Sequence, residues 1–498
     1  MVRINEIVLQ NPWWKHGKRF VRFDKNLQAV NVDVFFNRKQ IELSKGNMYV
    51  LRGPRQVGKT TYIKKLISEL INKGVTPSSI LYLSSDFFIS RRELRNAVDY
   101  FLSKNVDAGE LYLFIDEITS VKDWSLELKY LSDSGMMKKA IVVATGSSAA
   151  ALRREGELLP GRGLEGNEYH VRPLIFRDFV LQTAERLSDM IKEREMRGSL
   201  RELKSVLEKN GVILGHSLDP LIKSLHSVSP FKQELQYLFN VYLRCGGYPF
   251  VVNNFLSQKQ KTDRFSIETR QPETLMRDIM GDLTKLGKQD TIARQILREI
   301  SHKYGSRYSF STLAGDVGIN HVTAIDYLET LEESFILTVL YAIDFNHEET
   351  KFKGDKKIFF QDPFVFYSVQ SFLTGKDVNE IIDETLEDEE STSKIVEALV
   401  SSHLAVNQEI PMMREPRTFS WFYYNTRGRE IDNVTKIDGN YLAVEVKYQR
   451  GETSEVLNIP QIAESIVLTK DNFTIEEKVL STPVDMFLAV LEKSPKTL

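Results

Sequence analysis

The sequence predicts an α/β protein: a parallel sheet flanked by helices in its first third, helical regions through its middle, and a second α/β region towards its C-terminus. Three observations carry this. Short apolar runs at 48–51, 80–84, 111–115, 141–145 and 169–174 alternate with helical stretches, the pattern of a parallel sheet with crossover helices. The first run feeds Gly53-Pro54-Arg55-Gln56-Val57-Gly58-Lys59-Thr60, which fits G-x-x-x-x-G-K-[ST], and a helix is expected over 61–70. The third run closes on Asp116 and Glu117.

The chemistry explains the spacing in the loop. Glycines let backbone N–H groups curl around phosphates, and the following helix aims its positive N-terminus at them. Gly53, Pro54, Arg55, Gln56, Val57, Gly58, Lys59, Thr60 and Thr61 are therefore the expected ATP-binding residues. Lys59 would reach the β- and γ-phosphates, and the Thr60 hydroxyl would sit on Mg²⁺. Asp116 would hold the metal from the strand tip, while Glu117 would orient and polarise the attacking water. The 141–145 run ends in Thr145-Gly146-Ser147-Ser148, which places the hydroxyls of Thr145 and Ser147 where a γ-phosphate sensor would sit. Small polar residues also suit any tight turn.

Composition narrows the class. A chain of 498 residues implies roughly two to four domains with ample core. It has no long apolar run for a membrane span and no signal-peptide pattern, so the expectation is a cytoplasmic protein without a membrane partner. The lone Cys245 cannot pair within the chain, and no Cys/His cluster suggests zinc. A net charge of −2 gives no global nucleic-acid footprint, so any DNA contact must come from local patches.

Along the chain, residues 1–44 form an N-terminal extension with Trp13, Trp14 and a basic excess (Lys15, Lys18, Arg19, Arg22). It reads either as a DNA-contacting arm or as a segment packed on the nucleotide-binding core. The core is expected over 45–180 and a charged helical insertion and lid over 181–290. Residues 291–345 have the rhythm of a winged helix, with helices at 292–302, 311–317 and 320–333, a turn at Gly318 and a wing at 335–341. Its third helix is acidic (Asp326, Glu329, Glu332, Glu333), which is poor for lying against phosphates. A connector is expected over 346–390, where 377–390 is strongly acidic, and a last domain over 391–498.

That last domain holds a second constellation. Residues 429–437, Asp438-Gly439 and 440–448 read as a β-hairpin, Asp-Gly being a strong two-residue turn signal. If those two residues form the loop, Ile437 faces Asn440 and Asp432 faces Glu445. A loop over Gly439-Asn440 keeps the same grouping, and a three-residue loop breaks it. Period-two alternation puts Asp432, Glu445 and Lys447 on one face, with Ile431, Ile437, Leu442, Val444, Val446 and Tyr448 on a core face. Two acids and a lysine together suit a metal site acting on phosphate. They equally suit an exposed face with a salt bridge.

By these residues the chain resembles the AAA-type ATPases of archaea and bacteria that carry a C-terminal PD-(D/E)xK nuclease-like domain. The resemblance runs from about 40 to 450 through the phosphate loop, Phe114-Ile-Asp-Glu117 with Trp124, Thr145-Gly-Ser-Ser148 and Pro160-Gly-Arg162. It continues through Arg172-Pro-Leu-Ile-Phe176, Gly246-Gly-Tyr-Pro249, Phe360-Gln-Asp362, Glu397 and the hairpin. It implies a parallel-sheet AAA-type P-loop ATPase core, a helical lid, a winged helix and an α/β restriction-endonuclease-like domain. It makes Arg162 a candidate arginine finger in a homo-oligomer, with Arg153 and Arg154 as rivals. It makes Glu397, on a helix expected over 394–404, a fourth acid near a metal held by Asp432 and Glu445. The sequence departs from the pattern at Pro363-Phe364, in the long charged segment 181–230 and in the N-terminal Trp pair. Two functions follow from the resemblance. One is an ATP-dependent enzyme acting on DNA, in which ATP controls a Mg²⁺- or Mn²⁺-dependent nuclease worked by Asp432, Glu445 and Lys447. The other is a regulatory ATPase switch whose C-terminal domain binds nucleic acid or a protein and cuts nothing.

Overall fold

In the computed structural model the five apolar runs become five parallel strands: β1 (Met48–Arg52), β2 (Ile80–Ser84), β3 (Leu111–Asp116), β4 (Ala140–Gly146) and β5 (Glu168–His170). The structure describes residues 4–32, 38–87, 90–106, 109–133, 135, 138–146, 167–409, 419–449 and 457–498. They divide into a first unit, Met1–Arg172 with Leu498, and a second, Pro173–Thr497.

In the first unit the strand order is β2-β3-β4-β1-β5. Every residue of β1, β3 and β4 is buried, as a parallel sheet covered on both faces requires. On one face Val50, Leu81, Leu113 and Val142 pack with Leu94, Ala97, Val98 and Phe101 of the helix Arg91–Lys104. The fifth strand stops at His170, short of the expected 174. Pro173, which has no N–H for a ladder, lies just beyond it. Because all five strands run the same way, the loop after β1 and the acids ending β3 open on one edge, with the end of β4 between them.

β2 is the outer strand on that side, and the N-terminal segment covers its free edge with side chains. The Asn11 amide spans Tyr82, donating to its carbonyl at 2.9 Å and accepting its N–H at 2.6 Å. Gln10 Oε1 accepts the Ser84 N–H at 2.7 Å, and the indoles of Trp13 and Trp14 both donate to the Ile80 carbonyl, at 3.0 and 2.8 Å. Trp13 is wholly buried. Of the two readings of this segment, packing on the core is the one this geometry fits, while Lys15, Lys18, Arg19 and Arg22 stay exposed. Asn11→Ala should destabilise the unit by about 2–4 kcal/mol, because it strands two backbone groups at once. Urea unfolding against wild type checks this. A loss below about 0.5 kcal/mol would mean that water replaces the amide.

The second unit begins with helices Phe176–Met190, Arg194–Lys209, Asp219–Val228, Lys232–Cys245, Pro249–Thr262 and Arg270–Lys285, which fill the stretch expected to be helical. Three segments of the resemblance interlock here. Asp362 accepts the N–H of Gly247 and of Phe364, both at 2.8 Å, while the Leu174 N–H donates to the Gly247 carbonyl at 2.8 Å. A Cβ on Gly246 (φ +65°) would lie 2.1 Å from Asp362 Oδ1, and one on Gly247 would lie 2.1 Å from the Leu174 carbonyl oxygen. Burial pushes the Asp362 carboxyl up to about 7. These residues are joinery.

Helices Asp290–His302, Phe310–Val317 and His321–Glu333 follow, with β6 (Arg307–Tyr308) between the first two and Asn320 capping the third at 2.8 Å. After them come β7 (Leu337–Asp344) and β8 (Glu349–Phe360). The expected connector over 346–390 is corrected: it supplies β8 and the helices Pro363–Thr374 and Val378–Glu387. β8 escaped notice because its outer half is polar and bulged. The helix expected over 394–404 spans Glu389–Gln408. The last strands are β9 (Ser420–Tyr424), β10 (Glu430–Ile437), β11 (Asn440–Lys447), β12 (Ile462–Thr469), β13 (Thr474–Glu476) and β14 (Val479–Pro483). They join the earlier three in one nine-stranded sheet, β13-β14-β12-β11-β10-β9-β7-β8-β6, through parallel pairing of Tyr341 and Ala342 with Trp421 and Phe422. The two regions read as separate domains in the sequence therefore share a sheet.

Candidate functional site

The phosphate loop leaves β1 and enters the helix Lys59–Asn72 through Gly58, whose φ of +92° only glycine adopts without strain. Gly53 is required by contact: a Cβ there would lie 2.0 Å from the Val171 carbonyl oxygen. Gln56 also has positive φ, +62°, and Val57 is buried while Arg55 and Gln56 are half-buried. The Lys59 ammonium spans the start of the loop, donating to the carbonyls of Gly53 at 2.7 Å and Pro54 at 2.8 Å. Thr61 sits in the first turn, half-buried.

Thr60, Asp116, Thr145 and Glu117 meet in a continuous set of hydrogen bonds. Thr60 Oγ1 donates to Asp116 Oδ2 at 2.7 Å, so the two groups expected to hold Mg²⁺ are side by side and their hard oxygens fit that ion. The Thr145 hydroxyl donates to Asp116 Oδ1 and accepts the Glu117 N–H at 3.0 Å. Glu117 itself has φ +55°, a left-handed conformation that costs a non-glycine residue about 1 kcal/mol or more and recurs at functional sites. Thr119 Oγ1 donates to its carboxylate at 3.3 Å. Ser147, Arg153, Arg154 and Arg162 lie outside the described residues.

One member of this set was missed in the sequence. Tyr82, at the middle of β2, donates its hydroxyl to Asp116 Oδ2 at 2.8 Å. Lys64 Nζ stands 3.7 Å over the Tyr82 ring and pairs with Asp24 at 3.5 Å. No motif marks Tyr82.

In the second unit the hairpin has the expected register. Ile437 faces Asn440 across Asp438 (φ +49°) and Gly439 (φ +89°), and the ladder continues to Asn433 opposite Val444. Asp432 therefore stands opposite Glu445, and its Oδ2 accepts the Val446 N–H at 2.9 Å. Unlike the one-sided pattern expected, both hairpin faces are buried: Val434 and Ala443, on the acidic side, are as covered as Ile431 and Val444. Glu397 comes to the same place from its helix.

What occupies the centre is Lys357 of β8. Its side chain is 1% exposed, and its ammonium lies 2.6 Å from Glu397 Oε1, 2.7 Å from Glu430 Oε1 and 3.1 Å from Asp432 Oδ1. Burial opposes its charge, but Glu397, Asp432 and Glu430 outweigh that and push the ammonium's pKa up. Burial, reinforced by the charge of Asp432, raises Glu397 and Glu445 to about 8 each. Lys447, one-third exposed, is 4.0 Å from Glu445. Both Asp432 oxygens are thus committed, one to Lys357 and one to a backbone N–H. Among the described residues no group of three His, Cys, Asp or Glu side chains is arranged to hold a metal ion. Glu397, Asp432 and Glu445, as placed here, do not fit the shared metal expected of them.

The fold and the loop define an AAA-type P-loop ATPase domain, and residues 45–180 match the family model described as an AAA domain. Residues 236–376 match one described as a domain of unknown function, DUF8612. The chain is 27% identical over 374 residues to an uncharacterized protein of Methanocaldococcus jannaschii, covering 72% of this chain and 70% of that one. Among solved structures it is similar to Cdc6p from Pyrobaculum aerophilum, at 13% identity and a TM-score of 0.25 over 68% of this chain and 88% of that one. AMPPCP-bound DnaA from Aquifex aeolicus is similar at 13% identity and a TM-score of 0.20, over 64% and 88%. Likenesses this slight carry no argument about function. No helix among the described residues is long and apolar enough to cross a membrane.

Proposed function

We propose that the first unit hydrolyses ATP and that the cycle controls how the second unit engages DNA, binding it without cutting it. The observation that carries the hydrolysis is the Thr60–Asp116–Thr145–Glu117 hydrogen-bond set beside the phosphate loop. In this reading Lys59 leaves its loop carbonyls for the β- and γ-phosphates, and the Glu117 carboxylate orients the attacking water. Mg²⁺ held through Thr60 and Asp116 would neutralise charge on the phosphate oxygens. Ser147 as a γ-phosphate sensor and Arg162 as a finger supplied to a neighbouring subunit belong to the same proposal.

A basic and aromatic rim beside the carboxylate cluster supports the DNA reading, and the acidic helix His321–Glu333 does not. β8 bulges between Lys351 and Lys356. The buried Lys356 staples the bulge by donating to the carbonyls of Phe352 at 2.6 Å and Gly354 at 2.7 Å, which leaves Phe352 62% exposed next to Lys353. The Arg307 guanidinium lies 4.5 Å over the Tyr424 ring, with Lys351 5.8 Å from it. The tight turn after Tyr424 adds exposed Arg427 and Arg429. Cations that follow a backbone around an exposed ring suit single-stranded DNA, whose bases stack without sequence preference.

Fluorescence anisotropy with a labelled single strand tests this. Arg427→Glu with Arg429→Glu should weaken binding about tenfold or more and flatten its salt dependence, and Phe352→Ala should weaken it without changing the salt slope. Unchanged affinity in both would place the DNA elsewhere. Asp432, Glu445 and Lys447 do share a strand-pair face, which keeps the nuclease reading open to trial. Cleavage of plasmid or single strands with Mg²⁺ or Mn²⁺ that disappears in Asp432→Ala would replace binding with cutting.

A further inference from the structure

Lys356 and Lys357 are neighbours in one strand and so point to opposite faces. Lys356 holds the β8 bulge, and Lys357 enters the carboxylate cluster. We propose that the Lys357 ammonium takes the place of a divalent metal in this cluster, as a tethered cation that ties β8, β10 and the helix Glu389–Gln408 together and makes the second unit independent of metal. The proposal rests on the reading of that unit as one that binds without cutting. Its test measures metal rather than DNA, so the two can fail separately.

The geometry is that of a satisfied cation. An ammonium has three N–H donors, and Lys357 has one carboxylate oxygen within 3.1 Å for each of them, from three different side chains, two on β10 and one on the helix Glu389–Gln408. A hard divalent ion would need carboxylate oxygens of this cluster at roughly 2.0–2.6 Å, and the Lys357 ammonium, in contact with one oxygen of each of three acids, already stands between them and repels a second cation. The charge balance explains why an internal cation is needed. Glu397, Glu430 and Asp432 converge in a site where the lysine side chain is 1% exposed, and a buried carboxylate is strongly unfavourable unless paired. Around the cluster, Arg307 lies 3.9 Å from Glu430 and Lys447 lies 4.0 Å from Glu445, so both flanking acids also face protein cations.

Chain placement strengthens the inference. Lys357 is 75 positions from Asp432 in sequence, and β8 reaches β10 only because β7 and β9 close the sheet between them. The strand that carries the DNA-facing bulge is thereby anchored by the cation two residues beyond Asp355. The platform proposed for DNA would then hold its shape in the presence of a chelator.

Mn²⁺ electron paramagnetic resonance on nucleotide-free protein decides the matter. Wild type should show no Mn²⁺ binding that Asp432→Asn removes, up to roughly 1 mM metal. Lys357→Met keeps the length of the side chain and removes its charge. It should gain one Mn²⁺ about tenfold tighter than any wild-type site, and Asp432→Asn in that background should abolish it. Lys357→Arg should remain metal-free. Because three unpaired acids can prevent Lys357→Met from folding, Lys357→Met with Glu430→Gln provides a variant with less buried charge. One Mn²⁺ in folded wild type that depends on Asp432 would overturn the proposal. So would a folded Lys357→Met, alone or with Glu430→Gln, that binds none.

Discussion

Lys59→Ala is expected to abolish ATP hydrolysis, and Glu117→Gln to leave ATP bound while turnover falls by about 10²-fold or more. The two losses have different causes. Lys59 is the loop's only ammonium, held 2.7–2.8 Å from the Gly53 and Pro54 carbonyls and thus poised where phosphates would lie. Removing it leaves charge that develops on the γ-phosphate without its main side-chain partner. Glutamine at 117 fills the same space and keeps the backbone bond to Thr145, but it cannot polarise water. Phosphate release measured beside binding of a fluorescent ATP analogue separates the effects. Hydrolysis by Glu117→Gln at the wild-type rate would show that another group activates the water.

Thr145→Val should lower kcat by about 10²-fold with little change in nucleotide affinity, and Thr145→Ser should recover most of the loss. The sequence offers Thr145 as a γ-phosphate sensor. In the structure its hydroxyl faces the acids, donating to Asp116 and accepting the N–H of Glu117. Valine keeps the shape and removes both bonds, which frees the Asp116 carboxylate and releases the left-handed backbone of Glu117. A residue that acts by positioning others moves kcat, whereas a sensor that touches only the nucleotide also shifts the preference for ATP over ADP. An unchanged rate in Thr145→Val would remove this residue from the machinery.

The first unit was legible because its signals are local. Strand periodicity, a glycine loop and a strand ending in acids each lie within a few residues, and the loop helix came out only slightly longer than expected, at Lys59–Asn72. The hairpin was legible for the same reason: Asp438-Gly439 sets the register that puts Asp432 opposite Glu445. What stayed hidden depends on distant pairing. Tyr82 reaches Asp116 across 34 positions and Lys357 reaches Asp432 across 75, with no spacing to announce either. The join between β7 and β9 rests on a few residue pairs that no turn signal marks. β8 has Lys351, Lys353, Asp355, Lys356 and Lys357 in a row that alternation cannot parse, since Lys356 and Lys357 are buried charges.

The shared sheet also has a consequence for synthesis. β7, Leu-Thr-Val-Leu-Tyr-Ala-Ile-Asp, is apolar apart from Thr338 and its last residue and finds its second neighbour only in β9, which begins at Ser420. At roughly 5–20 residues per second, a growing chain leaves that side of β7 unpaired for several seconds after it emerges. A strand with these properties is an aggregation hazard while it waits. Slowed elongation between Asp344 and Ser420 should therefore raise the insoluble fraction, and co-expressed holdase chaperones should recover it. The first unit, whose strands are complete by His170, should be indifferent to both.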